Sequence, residues 1–250
     1  MPVPVEIVGV TGLPEIEPGA DLPRLIAGAI RDQGVPIDNR SICVVTSKIV
    51  SKAEGRLVDL NRVTPSAFAR DWATAHGKDA RVVEVVLSES RRIVRMDRDL
   101  LITETRHGLV CANAGVDSSN APAGVVLTLP VDPDRSAQQL SESLSAAFGC
   151  RVPVVISDTF GRPWREGFVN VAIGVAGMPA LRDYRGTHDP SGRSLAVTVM
   201  AIADEIASAA ELVMGKVSRV PVAVVRGVET GEGDGRAQDL LRAPDRDLFR

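Results

Sequence analysis

The chain has 250 residues, enough for one large domain or two smaller ones around a substantial hydrophobic core. Hydrophobic residues make up 44% of it and charged residues 24%, which is the composition of a globular protein and excludes a disordered chain. The formal net charge is -3, acidic and basic residues are interleaved, and only 3% of residues are aromatic, so nucleic acid is not expected as a partner.

The cysteines and the N-terminal residues bear on the cellular compartment. Cys43, Cys111 and Cys150 are odd in number and lack Cys-x-x-Cys spacing, which disfavours a disulfide framework and a structural zinc site. The residues from Met1 to Glu6 have neither the basic start nor the apolar core of a signal peptide, and no apolar stretch is long enough to span a bilayer. We therefore predict a cytoplasmic protein with no membrane partner.

Strand and helix patterns alternate in the first part of the chain. Apolar runs predict strands over 5–10 and 42–46, and the unbroken second run is typical of a strand covered on both faces. Apolar residues three and four apart predict a helix over 21–31, capped by its first residue. A second helix is predicted over 65–76, with Thr64 as its cap.

The rest of the chain begins with a strand-rich meander and then alternates again. Short apolar runs bounded by turn formers predict strands over 93–95, 100–103, 108–111 and 125–129. Helices are predicted from Asp132 to Gly149 and over 194–215, with strands over 152–157 and 222–225. These elements together predict a mixed α/β fold of the α+β class.

Common nucleotide-binding and hydrolase motifs are absent from the sequence. It contains no Gly-x-x-x-x-Gly-Lys-Ser/Thr loop, no Gly-x-Gly-x-x-Gly after a strand, no Gly-x-Ser-x-Gly elbow and no His-Glu-x-x-His helix. The three histidines are scattered, which disfavours a histidine-rich metal site. What remains is a set of polar, glycine-rich junctions at the predicted strand ends.

The sharpest junction follows the predicted strand over 152–157. Asp158 and Thr159 offer a carboxylate and a hydroxyl on adjacent residues, and both are hard oxygen ligands suited to Mg²⁺ or Mn²⁺. Arg162 and Arg165 come directly after and could bind phosphate or carboxylate by paired hydrogen bonds. In the alternative interpretation, Asp158 caps a turn and the arginines are solvated.

Two further junctions could bind a metal and phosphate. Asp117, in the polar run 113–120, could supply a second carboxylate for a dication bound to a triphosphate, although an ordinary Asx turn has the same composition. Ser47 with Lys48 or Lys52 could hold phosphate oxygens at the start of a helix. A solvated basic helical turn is the alternative there.

Three more segments carry weaker signals. The turn over 12–16 is uninformative by itself, and the Arg- and Asp-rich loop over 181–193 either grips an anionic ligand or is solvated. Asp204, Ser208 and Glu211 share one face of the predicted helix over 194–215, and such a face is more often solvated than part of a site.

In this order, the junctions resemble the coenzyme F420-0:L-glutamate ligase family, including the ligase half of its bifunctional mycobacterial-type members. The resemblance runs along essentially the whole chain, in the segments 12–15, 46–56, 115–120, 157–162, 185–192 and 204–216. It implies GTP-dependent ligation of L-glutamate to the lactyl carboxyl of the deazaflavin precursor F420-0, through an acyl phosphate. The products would be F420-1, GDP and phosphate, and further γ-linked glutamates could follow.

The resemblance also implies a set of site residues. Asp117 and Asp158 would hold one divalent metal ion, Mg²⁺ or Mn²⁺, and Thr159 a second. The residues implied to line the GTP site are Leu13, Pro14, Glu15, Ile16, Ser47, Lys52, Asn120, Met214, Gly215 and Lys216. We take Asp158, Arg162 and Arg165 as candidate catalytic residues, the arginines as groups that could grip glutamate's carboxylates or the precursor's phosphodiester.

The family fold implied is a mixed α/β structure of two intimately associated subdomains, assembled as an intertwined homodimer. The ligase domain would occupy 1–250, without the C-terminal flavin-reductase-like domain of the bifunctional relatives. The alternative function is a non-catalytic GTP- or deazaflavin-binding module that uses the same pockets. Forming an amide through an acyl phosphate requires no protein nucleophile, which agrees with the absence of a nucleophilic motif.

Overall fold

The structure is a computed structural model in which residues 4–119 and 122–247 are described. Within them the chain forms helices and several sheets, which confirms the predicted mixed α/β fold. The helices are α1 (Leu22–Asp32), α2 (Ser47–Ala53), α3 (Ala67–His76), α4 (Ala80–Ser88), α5 (Pro133–Phe148) and α6 (Ile202–Met214). No helix in this part of the chain is long and apolar enough to cross a membrane.

The strands form one large sheet and three small ones among the described residues. In chain order they are β1 (Glu6–Val10), β2 (Ser41–Thr46), β3 (Leu57–Asp59), β4 (Ser90–Asp97), β5 (Leu100–Thr105), β6 (Val110–Ala112), β7 (Val125–Leu127), β8 (Val154–Arg162), β9 (Arg165–Ala176), β10 (Arg182–Asp183), β11 (Val199–Met200) and β12 (Val222–Arg226). The large sheet has the order β1-β12-β2-β8-β9.

The pairing of β2 with β8 determines where the polar junctions meet. These two strands are parallel, with Cys43 opposite Val154 and Thr46 opposite Ser157, whereas the other neighbours in the large sheet are antiparallel. Parallel strands have their carboxyl ends at the same edge of a sheet. The residues that follow Thr46 and Ser157 therefore lie side by side, although they are far apart in the sequence.

Helices cover both faces of the large sheet. Cys43 and Val45 of β2 pack into a cluster that contains the buried faces of α1 and α5. Ile42 and Val44 point the other way, into a cluster that contains the buried face of α6. This alternation confirms that the unbroken apolar run of β2 is covered on both faces.

Residues 57–127 form a region with separate buried clusters. It contains the β4-β5-β6 sheet, the β3-β7 pair, α3 and α4, and its larger cluster includes Ala69, Val86 and Leu101. Asp117 is anchored to the end of β7, because its backbone exchanges hydrogen bonds of 2.9 and 2.8 Å with Leu127. The two-subdomain organisation and the homodimer remain predictions.

The predicted start of the second helix is wrong by two residues, whereas its end is correct. α3 begins at Ala67, and its cap is Ser66, whose Oγ accepts a hydrogen bond of 3.2 Å from the backbone N–H of Ala69. Thr64 is not the cap, and Pro65 precedes the helix. The physical reason lies in α4, where Glu84 accepts a hydrogen bond of 2.8 Å from the Ser66 backbone N–H and holds it in the capping position.

The predicted helix over 194–215 begins later than expected, because α6 starts at Ile202. The preceding residues form backbone hydrogen bonds with the Arg- and Asp-rich loop instead of with each other. Leu195 donates to Thr187 O at 2.8 Å and accepts from Gly186 at 2.9 Å, and β11 pairs with β10. This pairing between segments outweighs the helical spacing of the side chains.

The strand that leads to Asp158 is longer than predicted. β8 continues to Arg162 and pairs with β9 along its whole length, so Asp158 lies opposite Val171 and Thr159 opposite Asn170. The sequence did not predict β9, because its exposed first half and buried second half do not form one local pattern. Asp158 and Thr159 therefore belong to a hydrogen-bonded strand and do not sit in a turn.

Candidate functional site

A cavity of about 830 Å³ opens at the carboxyl edge of β2 and β8. The predicted site residues that line it are Leu13, Pro14, Glu15, Ile16, Ser47, Lys52, Asp158, Thr159, Gly215 and Lys216. Met214 does not line it, because its side chain is 1% exposed and packs in the cluster under α6. Asn120 lies outside the described residues. Four separate chain segments that carry predicted site residues are thus brought together around one space.

Asp158 is the central carboxylate of the cavity. Its Oδ1 accepts a hydrogen bond of 3.0 Å from Ser47 Oγ, which joins β8 to the start of α2. Burial raises the pKa of Asp158 to about 6; the Asp117 charge adds to this rise, while hydrogen bonds from Thr159 and Ser47 oppose it. A carboxylate that is costly to ionise in this environment is stabilised by a cation placed beside it.

Asp117 approaches from the other region of the chain and is paired with a lysine. Lys48 Nζ lies 2.6 Å from its Oδ2, and Ser119 donates to its two oxygens from N at 2.6 Å and from Oγ at 2.8 Å. Burial alone would raise the pKa of Asp117, but the hydrogen bonds from Lys48 and Ser119 outweigh it and lower the pKa. The two predicted metal carboxylates therefore lie close enough to influence each other, with Lys48 beside them.

Thr159 belongs to a second polar group on the opposite face of β8. Its Oγ1 donates to Asn170 Oδ1 at 2.8 Å, and Lys216 Nζ lies 2.7 Å from Thr159 Oγ1 and 3.1 Å from Asn170 Oδ1. The same ammonium is 3.3 Å from Glu211 Oε1. Asn170 and Glu211 both line the cavity, and neither was predicted as a site residue.

The face of α6 that carries Asp204, Ser208 and Glu211 is not solvated, which corrects the interpretation that the sequence favoured. Asp204 Oδ1 accepts a hydrogen bond of 2.8 Å from the backbone N–H of Ala172, and burial raises the pKa of Asp204. Ser208 Oγ donates to Asn170 O at 2.7 Å. The sequence signal for this role was the regular spacing of three polar residues on one face of the helix. Two of them, Asp204 and Ser208, form hydrogen bonds with the backbone of β9.

Lys52 connects α2 to the turn after β1. Its side chain is buried, and Nζ forms an ion pair with Glu15 Oε1. Ile16, next to Glu15, is also buried and joins the cluster beneath α1. The turn over 12–16, uninformative as sequence, is therefore held against the cavity by a charged pair and an apolar anchor.

The predicted arginines lie elsewhere. Arg162 and Arg165 flank the turn between β8 and β9, and neither lines the cavity. Arg162 donates from Nη2 to the carbonyl oxygen of Glu166, within the same turn. In the loop over 181–193, Arg185 hydrogen-bonds Asp183 and lowers its pKa to about 2. The structure therefore leaves substrate binding by Arg162 and Arg165 as a prediction.

The oxygen atoms in the cavity fit a divalent metal that is also held by a ligand's phosphates. Within residues 4–119 and 122–247, no group of three or more His, Cys, Asp and Glu side chains could hold a metal by itself. Mg²⁺ commonly takes one or two protein carboxylates and completes its shell with water and phosphate oxygens. Asp158 lines the cavity, and Ser47 donates a hydrogen bond to it; Asp117 does not line the cavity but lies close enough to raise the pKa of Asp158. These two carboxylates match that pattern.

Comparisons with known proteins identify the family of the chain. The family model for F420-0:Gamma-glutamyl ligase matches residues 11–227. Coenzyme F420:L-glutamate ligase of Methanopyrus kandleri is 47% identical over 254 residues, covering 100% of this chain and 96% of that protein. The proteins of the same name from Methanothermobacter thermautotrophicus and Archaeoglobus fulgidus are 45% and 40% identical, over 98% of this chain in both cases and 99% and 96% of theirs. The chain therefore belongs to the F420-0:gamma-glutamyl ligase family and is a ligase.

Proposed function

We propose that this enzyme ligates L-glutamate to the lactyl carboxyl of coenzyme F420-0 and uses GTP to activate that carboxyl. The observation that carries the proposal is the single cavity in which Asp158, Thr159, Ser47, Lys52 and Lys216 meet. Two carboxylates, hydroxyl groups and lysines in one place suit a metal-bound polyphosphate better than an uncharged ligand. The names of the similar proteins indicate the two compounds that are joined: coenzyme F420-0 as the acid and L-glutamate as the amine.

The apolar and charged parts of the cavity suggest how a nucleotide lies in it. Leu13, Pro14 and Ile16 form one apolar part of the lining, suited to a base and ribose. Lys52 pairs with Glu15 in this turn, and Lys216 contacts Thr159, the residue after Asp158. The γ-phosphate would then point towards Asp158.

Two metal ions fit this arrangement. Asp117 and Asp158 would hold one, and Thr159 would hold the second with Glu211, whose Oε2 is buried without a hydrogen-bond partner among the described residues. When bound, such ions neutralise phosphate oxygens and the charge that develops on the transferred phosphoryl group. Lys48 and Lys216, which contact Asp117 and Thr159 in the structure, would then be free to turn towards phosphate oxygens.

In this reaction the protein mainly positions the substrates and neutralises the charges that develop on them. A carboxylate oxygen of F420-0 attacks the γ-phosphorus, the bond from that phosphorus to the bridging oxygen breaks, and GDP leaves. The amine of glutamate then attacks the acyl carbon and displaces phosphate, with loss of a proton from nitrogen. Lysine ammonium groups stabilise the charges on both leaving groups, and no side chain forms a covalent bond. F420-1 results, and further γ-linked glutamates can follow by the same steps.

Product analysis tests the proposal directly. Enzyme, GTP, L-glutamate, F420-0 and Mg²⁺ or Mn²⁺ are incubated together, and mass spectrometry follows the addition of one glutamyl residue while GDP and phosphate are quantified. We expect one GDP and one phosphate for each amide, and no phosphate when glutamate or F420-0 is omitted. Phosphate release that is independent of both substrates, or GTP binding with no product, would count against ligation.

A pair of variants connects the result to the site. Asp158→Asn should lower the ligation rate about 100-fold or more, because a metal carboxylate is lost where charge develops in the reaction. Asp183→Asn is the matched control, since Asp183 is exposed and paired with Arg185 away from the cavity. Near-normal ligation by Asp158→Asn at saturating metal would contradict the metal role of Asp158.

We also propose that the enzyme works in the cytoplasm as a homodimer. The tip of the β8–β9 hairpin supports an interface, because Trp164 is 81% exposed and Phe168 is 75% exposed there. Light scattering coupled to size-exclusion chromatography would show twice the chain mass of 26.5 kDa. A monomer at micromolar concentration would contradict the homodimer.

A further inference from the structure

The segment that joins α6 to β12 forms one wall of the cavity. Lys216, Val217 and Arg219 all line it. The end of the segment is fixed to β2, because the backbone N–H of Thr46 donates a hydrogen bond of 2.9 Å to Pro221 O. This attachment brings the segment past the carboxyl end of β2, beside the edge at which the polar junctions meet.

Arg219 has an unfavourable backbone conformation for its residue type. Its φ is 55°, in the left-handed region that glycine adopts without steric cost and other residues rarely enter. Such conformations are concentrated at binding sites, where a side chain is needed at a particular place. Arg98 has a similar φ of 52°, but it lies in the turn between β4 and β5 and does not line the cavity. The location in the cavity therefore distinguishes Arg219.

Arg219 also differs from the other basic side chains of the cavity in its lack of a partner. Three lysines in the lining form ion pairs with carboxylates: Lys48 with Asp117, Lys52 with Glu15, and Lys216 with Glu211. Within the described part of the chain, the guanidinium of Arg219 has no hydrogen-bond or ion-pair partner. It is thus a positive charge in the cavity lining that no group among the described residues neutralises.

We propose that Arg219 binds the polyphosphate chain of the nucleotide through paired hydrogen bonds from its guanidinium group. The inference rests on the proposed function, since it takes a nucleoside triphosphate as the ligand. A guanidinium matches the geometry of two phosphate oxygens and is less strongly hydrated than an ammonium. Arg219 lies three residues after Lys216 on the same wall, and Lys216 contacts Thr159, which the proposed function assigns to a metal ion beside the phosphates.

Binding measurements without the other substrates test this role and avoid turnover. Calorimetry gives the Kd of GTP, GDP and guanosine, in the presence of Mg²⁺, for wild type, Arg219→Gln and Arg219→Gly. Arg219→Gln removes the charge and keeps the left-handed backbone, whereas Arg219→Gly removes both. We expect the Kd of GTP and of GDP to rise about tenfold in both variants, and the Kd of guanosine to stay unchanged. Because the site is exposed, the effect should shrink at high salt.

Arg98→Gly is the matched control for backbone strain. It relieves a left-handed arginine outside the cavity, so its nucleotide affinity should equal that of wild type. Melting temperatures should rise by about 2 °C in Arg219→Gly and Arg98→Gly, but not in Arg219→Gln. A variant of Arg219 that is more stable than wild type and yet binds GTP more weakly separates the binding role from any folding defect.

Other outcomes would overturn the inference in distinguishable ways. If wild type binds GTP and Arg219→Gln binds it equally well, the role of Arg219 is refuted while the proposed function stands. An equal loss of guanosine affinity would place Arg219 at the base or ribose and refute the phosphate contact. Wild-type protein that binds no GTP would overturn the proposed function and this inference together.

Discussion

Replacing Asp158 with asparagine should stabilise the metal-free protein, although it removes a carboxylate that we propose as a metal ligand. The pKa of Asp158 is raised from 3.8 to about 6, mainly by burial. One pKa unit corresponds to about 1.4 kcal/mol, so a shift of about two units amounts to about 3 kcal/mol. Asparagine keeps an oxygen that can accept the hydrogen bond from Ser47 and carries no charge to bury.

The sign of the pH dependence follows from where the proton is held more tightly. The folded protein retains the Asp158 proton up to about pH 6, whereas the unfolded chain releases it near pH 3.8, so folding becomes less favourable as the pH rises between these values. Asp158→Asn has no carboxyl to ionise and therefore does not lose stability over this pH range. At pH 8 it should be more stable than wild type by about 3 kcal/mol, and the difference should shrink towards zero near pH 4.

Asp117→Asn provides a control of opposite sign. The pKa of Asp117 is lowered, because hydrogen bonds from Lys48 and Ser119 outweigh the effect of burial. Its ionised form therefore contributes stability above its usual pKa, and that stability is lost as the pH falls. Asp117→Asn should consequently be less stable than wild type at pH 8, because Lys48 loses its carboxylate partner.

The differences in unfolding free energy can be measured by urea unfolding at 25 °C, followed by circular dichroism. The buffers contain EDTA and are set at pH 8, 6 and 4.5. The slopes of the transitions should agree among the three proteins, so that midpoints can be compared. Wild type that is as stable as Asp158→Asn at pH 8, or a difference that stays constant with pH, would refute the conclusion that buried charge at Asp158 destabilises the fold.

Two further predictions concern metal affinity and backbone packing. Lys48→Met removes the ammonium that neutralises Asp117, so Mn²⁺ should bind about tenfold more tightly without nucleotide, as measured by the electron paramagnetic resonance signal of free Mn²⁺. Unchanged or weaker Mn²⁺ affinity would contradict it. Gly174→Ala would place a Cβ 2.3 Å from Pro133 O and should cost about 3 kcal/mol of unfolding free energy, whereas Gly28→Ala, in open space on α1, should gain about 0.5–1 kcal/mol. Equal urea midpoints for these two variants would show that the close contact between residue 174 and Pro133 does not determine stability.

The features that the sequence predicted correctly depend on residues a few positions apart. Asp21 and Asp132 cap α1 and α5, and each accepts a hydrogen bond from a backbone N–H three residues later. The unbroken apolar run of β2 was enough to predict a strand covered on both faces. Such signals are contained within one element, so they can be interpreted without knowledge of its neighbours.

The features that it missed depend on contacts between distant segments. Asn170 joins Thr159 only because β9 pairs with β8, and Glu211 lines the cavity because α6 packs across β9. Ser66 displaced Thr64 as the cap of α3 because of a carboxylate on α4. Local spacing contains no information on such partners, so the grouping of the candidate ligands came from the family resemblance and not from the residue pattern.

The hydrogen bonds from α6 to β9 have a mechanical consequence. Asp204 and Ser208 attach the helix to the backbone of β9 at Ala172 and Asn170, so the wall that carries Thr159 and Lys216 resists bending and sliding. On the opposite side, Lys48 Nζ contributes side-chain contacts to Asp117 and Ser119. One wall of the cavity is thus held by hydrogen bonds to backbone groups, whereas Lys48 is held by contacts between side chains alone.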